Sequence, residues 1–312
     1  MGLCLVTGGA GFIGSHLVRR LLELGHRVRV LDDFSTGKRE NLSGVAGPLE
    51  VVEGSVCDLA IVTAAMQGIE VVFHLAARAS VPRSIEQPLP CNEINVTGTL
   101  NLLVAARDAG VRRFVYSASS SAYGDTPVLP KKVEMRPQPL SPYAVSKLAA
   151  EHYCACWAHV YGLQTISLRY FNVFGPRQDP FSPYAAVIPA FVSRMLKGQR
   201  PIIYGDGEQS RDFCFVDNVV HANVLAAEVP EVHGEVVNIA CGQRTTLNAI
   251  VRELNTLLGT QIEPVYEPAR PGDVRHSLAD LSDAKRVLGY EPRVMFAEGL
   301  RRSIDWYRAN LT

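Results

Sequence analysis

The chain opens on a run of apolar residues, Leu3-Cys4-Leu5-Val6. It passes through a glycine-rich turn into apolar positions at helical spacing: Ile13, Leu17, Leu21 and Leu24. The same alternation recurs downstream. Strands are predicted at 27–31, 49–52, 70–75, 113–116 and 164–169, with helices at 59–66, at 95–108 and from 143 to about 161. The run Val71-Val72-Phe73 is continuously apolar, as a parallel strand covered on both faces requires. From Asn172 the texture changes, because Gly175, Pro176, Pro180, Pro183 and Pro189 break up regular structure. A strand at 236–239, reached through 212–217 and a helix to Glu228, is predicted to return to the sheet. The last apolar stripe, Phe296, Leu300, Ile304 and Tyr307, reads as core packing. The pattern predicts an α/β chain built on a doubly wound parallel sheet, residues 1–173 and 212–239. A smaller, discontinuous mixed α/β substrate-binding lobe is expected at 174–211 and 240–312.

The first turn gives the sheet a chemical identity. In Gly8-Gly9-Ala10-Gly11-Phe12-Ile13-Gly14, Gly8 lets the chain reverse off the strand and Gly11 lets bare backbone approach a diphosphate. Gly14 lets the helix sit close on the sheet. The helix start at Phe12 and Ile13 offers free N–H groups and partial positive charge. Asp32 ends the second strand, where a carboxylate accepts both hydroxyls of an adenosine ribose and repels a 2'-phosphate. The domain is therefore read as Rossmann-like with NAD, not NADP, as cofactor. Two further stretches belong to the same site: Asp33, Ser35 and Gly37 after the second strand, and Leu75, Ala76 and Ala77 after the fourth, whose alanines let a cofactor lie against backbone. Asp58, beside Leu59, reads equally as a partner of the adenine amino group and as the cap of the helix that follows.

Bulk properties narrow the class. The chain has 312 residues, 47% of them hydrophobic, with 31 basic and 31 acidic side chains and no long run of one sign. That balance predicts no nucleic-acid partner and no membrane surface. The first strand begins at once, leaving no room for a signal peptide, and a cytoplasmic location is expected. Seven cysteines without a C-x-x-C pair and scattered histidines read as reduced thiols and no metal site.

The candidate chemistry lies at the carboxyl edge of the sheet. Tyr143 and Lys147 stand four apart at a helix start, so they share a face, and they follow the serine-rich strand end Ser117-Ala118-Ser119-Ser120-Ser121. A phenol is a poor base at neutral pH, but a neighbouring ammonium and a cationic nicotinamide favour the phenolate. Tyr143 is thus the expected proton acceptor, with Ser119 bonding the same substrate hydroxyl.

With the glycine turn, the serine triplet, Tyr143-x-x-x-Lys147 and Arg169-Tyr170-Phe171-Asn172-Val173-Phe174-Gly175-Pro176 in view, the sequence resembles the extended short-chain dehydrogenase/reductase family. Within it, the resemblance is to the NAD-dependent UDP-sugar 4-epimerases, over essentially the whole chain. It implies that Ser119, Tyr143 and Lys147 are catalytic, and that Lys147 also holds the nicotinamide ribose while Tyr170 and Phe171 line the cofactor pocket. It implies a UDP-sugar bound by Asn172, Arg211 and Arg270 at the diphosphate, Tyr204 at the base and Asp273 on the ribose. Ser120, Ser121 and Val187 complete the substrate set. A homodimer through helices matching 95–109 and 143–161 is a further implication.

Single positions separate neighbouring activities. The 4,6-dehydratases carry an Asp-Glu pair where this chain has Ser120 and Ser121, and decarboxylating relatives place a glutamate at Ser121. Glucuronate epimerases tend to have Thr at Asn172 and an arginine in the following loop; Arg177 keeps that substrate open. The pocket wall aligns with Ala79, Ser119, Tyr143, Asn172, Ala186 and Ser277. Relatives restricted to plain hexoses put tyrosine at Ser277 and lysine at Ala79. Small residues there leave volume for an acetamido group, which favours UDP-GlcNAc/UDP-GalNAc, with UDP-Glc/UDP-Gal as lesser substrates. The alternatives are a UDP-glucuronate 4-epimerase and a non-catalytic NAD-sensing or RNA-binding member of the fold; the alternative for Ser277 is a surface hydroxyl before the final helices.

Overall fold

The structure, a computed structural model, describes residues 2–181, 186–269 and 274–311. Strands β1 (Leu3–Thr7), β2 (Arg27–Asp32), β3 (Leu49–Glu53), β4 (Val71–His74), β5 (Arg113–Ser119) and β6 (Gln164–Tyr170) follow one another through the first half. Between them lie helices α1 (Phe12–Glu23), α2 (Leu59–Ala65), α3 (Val81–Glu86), α4 (Pro88–Asn92), α5 (Gly98–Asp108) and α6 (Pro142–Tyr161). The second half carries the short strands β7 (Val173–Phe174), β8 (Ile202–Tyr204), β9 (Ser210–Arg211) and β10 (Cys214–Phe215), then β11 (Glu235–Ile239), β12 (Thr245–Thr246) and β13 (Val265–Glu267). Its helices are α7 (Val187–Leu196), α8 (Val216–Glu228), α9 (Leu247–Leu258), α10 (Ser282–Leu288) and α11 (Phe296–Leu311).

Seven strands form one parallel sheet in the order β11-β6-β5-β4-β1-β2-β3. The strand order reverses on either side of β1, so the carboxyl ends of β1 and β4 open a crevice there, where open α/β sheets bind ligands. The apolar strands bury both faces. One core lies under α2, α5 and α6 and includes Leu5, Val72, Phe114 and Trp157. The other joins Cys4, Val6 and Ile166 to Phe174, Ile203, Leu254 and Tyr307, so the later segments share a core with the sheet.

Three local readings change. Strand β5 continues past Tyr116 to Ser119, because Ser117 pairs with Leu168 and Ser119 with Tyr170 along β6. Helices α3 and α4, outside the expected elements, each carry a proline, Pro82 and Pro88, in the first turn, where the missing N–H is not needed. A π-turn at Glu93–Thr97 then feeds α5, so the helix expected from Asn95 begins earlier. Strand β10 pairs with β7 in a separate two-stranded sheet, and only β11 rejoins the main one. Among the described residues no helix is long and apolar enough to cross a membrane, and no metal-binding group of His, Cys, Asp or Glu forms. All seven cysteines are free thiols.

Candidate active site

At the end of β1, Gly8 adopts φ +68° and its N–H donates to Leu31 O at 2.9 Å. Gly11 caps α1 with no side-chain hydrogen bond, which leaves the first-turn amides for a ligand. A Cβ on Gly14 would stand 2.1 Å from Gly8 O, so that position admits only glycine. Asp32 is buried and holds the turn as well: Oδ2 accepts Ala10 N–H at 2.8 Å and Oδ1 accepts Phe34 N–H at 2.9 Å. Burial raises its carboxyl, and the Phe34 and Ala10 amides pull it back. Gly37 sits against this carboxylate, for a Cβ there would lie 2.8 Å from Asp32 Oδ1. Asp33 Oδ1 accepts Ser35 N–H at 2.9 Å, closing the next loop. A glycine-flanked, uncapped helix start beside a buried carboxylate fits a dinucleotide, pyrophosphate on α1 and ribose on Asp32.

On the opposite wall Leu75 and Ala76 point their N–H groups at Thr7 Oγ1, each at 3.2 Å, and Ala76 backbone lies close enough to exclude a Cβ at Gly8. Ala77 follows, half-buried. Asp58, left open between two roles, is the cap of α2: Oδ1 accepts Ala60 N–H at 2.9 Å and Ile61 N–H at 3.1 Å, with Leu59 exposed beside it.

The catalytic candidates converge from two elements. Strand β5 delivers Ser119, whose Oγ accepts from Ser121 Oγ at 2.8 Å and Ser121 N at 3.2 Å, leaving its own proton to donate. Helix α6 starts at Pro142, capped by Ser141 Oγ on Ala144 N–H at 3.1 Å, and Tyr143 N–H donates to Ser84 Oγ at 3.1 Å. Lys147, one turn on, is buried and donates Nζ–H to Ser117 O at 2.7 Å. Burial pushes the ammonium down to about 8. Burial also raises the Tyr143 phenol, and the group that lowers it is the Ser119 hydroxyl. A buried ammonium needs an acceptor, and the β5 carbonyl of Ser117 supplies it.

Two supporting contacts escaped the sequence reading. Glu151, four residues beyond Lys147, chelates Arg169 at 2.8 and 2.6 Å with both side chains 4% exposed, which ties the catalytic helix to β6. Asn95 Nδ2 donates to Ser146 Oγ at 2.9 Å, and Ser146 Oγ donates to Tyr143 O at 2.8 Å. The available signal was a carboxylate in register with Tyr143 and Lys147 on a buried helix face. Tyr170 and Phe171 need correction as pocket-lining side chains. The Tyr170 hydroxyl is paired with Asn223 of α8 inside the core, and Phe171 is fully buried against Tyr123.

Asn172, at the centre of the expected sugar site, takes φ +30° and donates Nδ2–H to Asp212 O at 3.2 Å and to Ser277 Oγ at 3.3 Å. Ser277 is only 8% exposed, so it is not a surface hydroxyl. Arg211 ends β9 with Nη1 on Ser210 O at 3.1 Å and Arg275 O at 3.0 Å. Ser120 and Ser121 form a 3-10 turn after Ser119. Ala79 and Ala186 are exposed, Val187 opens α7, and Tyr204 ends β8. Arg270 and Asp273 lie outside the described residues. Arg177, which kept a sugar carboxylate in play, donates to Ser15 Oγ of α1 at 3.3 Å, and burial draws its guanidinium down to about 10.

A model of the NAD dependent epimerase/dehydratase family matches residues 4–240. The structure is similar to that of a UDP-N-acetylglucosamine 4-epimerase from Methanobrevibacter ruminantium in complex with UDP-N-acetylmuramic acid. The two are 41% identical with a TM-score of 0.95, over 99% of this chain and 98% of the other. It is also similar to a UDP-glucose 4-epimerase with UDP-glucose from Thermotoga maritima, 43% identical with a TM-score of 0.94 over 99% and 100% of the two chains. A UDP-glucose 4-epimerase from Thermus thermophilus, in complex with NAD, is 37% identical with a TM-score of 0.90 over 99% of both chains.

Proposed function

The chain belongs to the NAD-dependent epimerase/dehydratase family as a UDP-sugar 4-epimerase, and on that premise we propose that its preferred substrates are UDP-GlcNAc and UDP-GalNAc. What supports this reading is the small, buried Ser277 hydroxyl bonded to Asn172, at a position where a tyrosine would take up the volume that a 2-acetamido group needs. UDP-Glc and UDP-Gal then bind with fewer contacts. The bond of Arg177 to Ser15 of α1 supports a neutral sugar over a uronate, and Ser120 and Ser121 provide no acid or base for elimination or decarboxylation.

Bound NAD supplies a hydride acceptor for the first half of the reaction and a hydride donor for the second. Tyr143 takes the proton of the sugar 4-hydroxyl, while Ser119 donates a hydrogen bond that stabilises the phenolate and then the 4-keto oxygen. Lys147 keeps a positive charge below the same site, and the N–H groups not used on Ser117 are available to a ribose. The keto sugar turns over about its diphosphate, and Tyr143 returns the proton at the opposite configuration. In this reading Asn172, Arg211 and Arg270 hold the diphosphate, Tyr204 the base and Asp273 the ribose.

A panel of UDP-GlcNAc, UDP-GalNAc, UDP-Glc, UDP-Gal and UDP-glucuronate tests the proposal. The acetamido pair is expected to give the highest kcat/KM, and a preference for UDP-glucuronate would overturn it. Ser277→Tyr is expected to lower kcat/KM for the acetamido sugars by about 10-fold or more with little change for UDP-Glc, the discrimination a filled pocket gives. Equal loss on all substrates would remove Ser277 from the wall. The exposed Val145, Tyr153, Val160 and Tyr161 on α6 support a homodimer through α5 and α6. Light scattering should then return twice the 34.1 kDa of one chain.

A further inference from the structure

Behind the sugar pocket stands a buried carboxylate that takes no part in the chemistry above. Asp212 follows Arg211 and is 0% exposed. Its Oδ1 accepts Cys241 N–H at 2.9 Å, and its Oδ2 accepts Gly242 N–H at 3.0 Å and Ala279 N–H at 3.1 Å. These amides belong to two segments far apart in sequence, the turn that leaves β11 and the loop that carries Ser277. The main chain of Asp212 extends the same link, because its carbonyl accepts Asn172 Nδ2–H at 3.2 Å. Asn172 reaches Ser277 Oγ in turn, and Ser277 N–H donates to Ser210 O at 3.0 Å. One residue therefore joins the backbone positions of Arg211, Asn172 and Ser277.

The charge is kept at a cost to the fold. Burial raises the carboxyl from 3.8 to about 6 against the pull of the surrounding amides. A raised native value means that the folded chain binds this proton more readily than the unfolded chain does. The contribution of the group to stability accordingly falls as pH climbs from 3.8 to about 6, and it stays low at neutral pH. A serine or asparagine would avoid that cost. Neither could accept so many amides, and the Nδ2 group of an asparagine would face N–H groups on one arm.

We propose that Asp212 is a positioning residue for the sugar nucleotide, a clamp that fixes the Ser277 loop and the Cys241–Gly242 turn relative to Asn172 and Arg211. The proposal rests on the UDP-sugar reading of that pocket. Asp212→Asn, prepared with its NAD, is expected to raise KM for UDP-GlcNAc by about 10- to 100-fold, the effect of losing hydrogen bonds to a charged acceptor. The change in kcat is expected to stay within about 3-fold, because Ser119, Tyr143 and Lys147 are held by other elements. Amide exchange at Cys241, Gly242 and Ala279 should accelerate in the variant. Unchanged KM with unchanged exchange, or a parallel loss of kcat and NAD content, would overturn the clamp. So would failure of both Asp212→Asn and Asp212→Ser to fold, which would assign the residue to the fold alone. Exchange is read without turnover, so an inactive wild type would overturn the functional reading and leave the clamp decided by exchange.

Discussion

Tyr143→Phe is expected to lower kcat by about 10²- to 10⁴-fold, the range that loss of a positioned acid–base group produces. The fold and the bound dinucleotide should survive, because the hydroxyl is not what anchors the helix. Helix α6 is fixed by its Ser141 cap, by the Tyr143 N–H bond to Ser84 and by the Glu151–Arg169 pair, none of which involves the phenol oxygen. Steady-state rates with UDP-GlcNAc, together with the absorbance of bound cofactor, read both halves of the expectation. A variant within about 10-fold of the wild type would transfer the role of base to another group, with Ser119 the nearest.

The second large effect is expected at Gly14→Ala. The added Cβ would meet Gly8 O at 2.1 Å and Gly9 Cα at 2.8 Å, both of them backbone atoms that no rotamer change can move aside. Either α1 lifts off the sheet or the Gly8 turn, already at φ +68°, shifts under it. Overpacking of this kind costs about 1–3 kcal/mol, and it falls on the N–H groups expected to carry the pyrophosphate. The variant should therefore purify without dinucleotide and unfold at lower temperature, by scanning calorimetry, than the wild type. The open position of Gly44 provides the control, because no atom lies within 4 Å of a Cβ there, although its φ of +65° charges a smaller backbone penalty. Retention of NAD by Gly14→Ala would show that the helix does not need close contact with β1.

Much of this site was legible because its parts are local. A strand, three glycines and a helix follow one another within a dozen residues around Gly8, Gly11 and Gly14, and Asp32 ends the very next strand. Tyr143 and Lys147 share a face by helical spacing alone. Local spacing decides less where two physical solutions compete. Pro82 and Pro88 mark the starts of helices as readily as their ends, and Asp58 caps α2 through Oδ1 alone, one of the two roles its position allowed. Tyr170 and Phe171 sit beside the site in sequence, yet their rings are buried, one against Asn223 and the other against Tyr123.

By itself, then, the sequence determined the parallel sheet, the glycine turn, the carboxylate that ends β2 and the tyrosine–lysine pair, since each follows from the periodicity or chemistry of neighbouring residues. The tertiary structure alone decided which partners tune them. Lys147 meets Ser117 from β5, Glu151 meets Arg169 from β6, Asn172 meets Ser277 over a separation of 105 residues, and Asp212 gathers amides from two distant loops. A buried polar group must find a partner wherever the packed chain brings one within about 3 Å, and no spacing rule along the chain encodes that encounter.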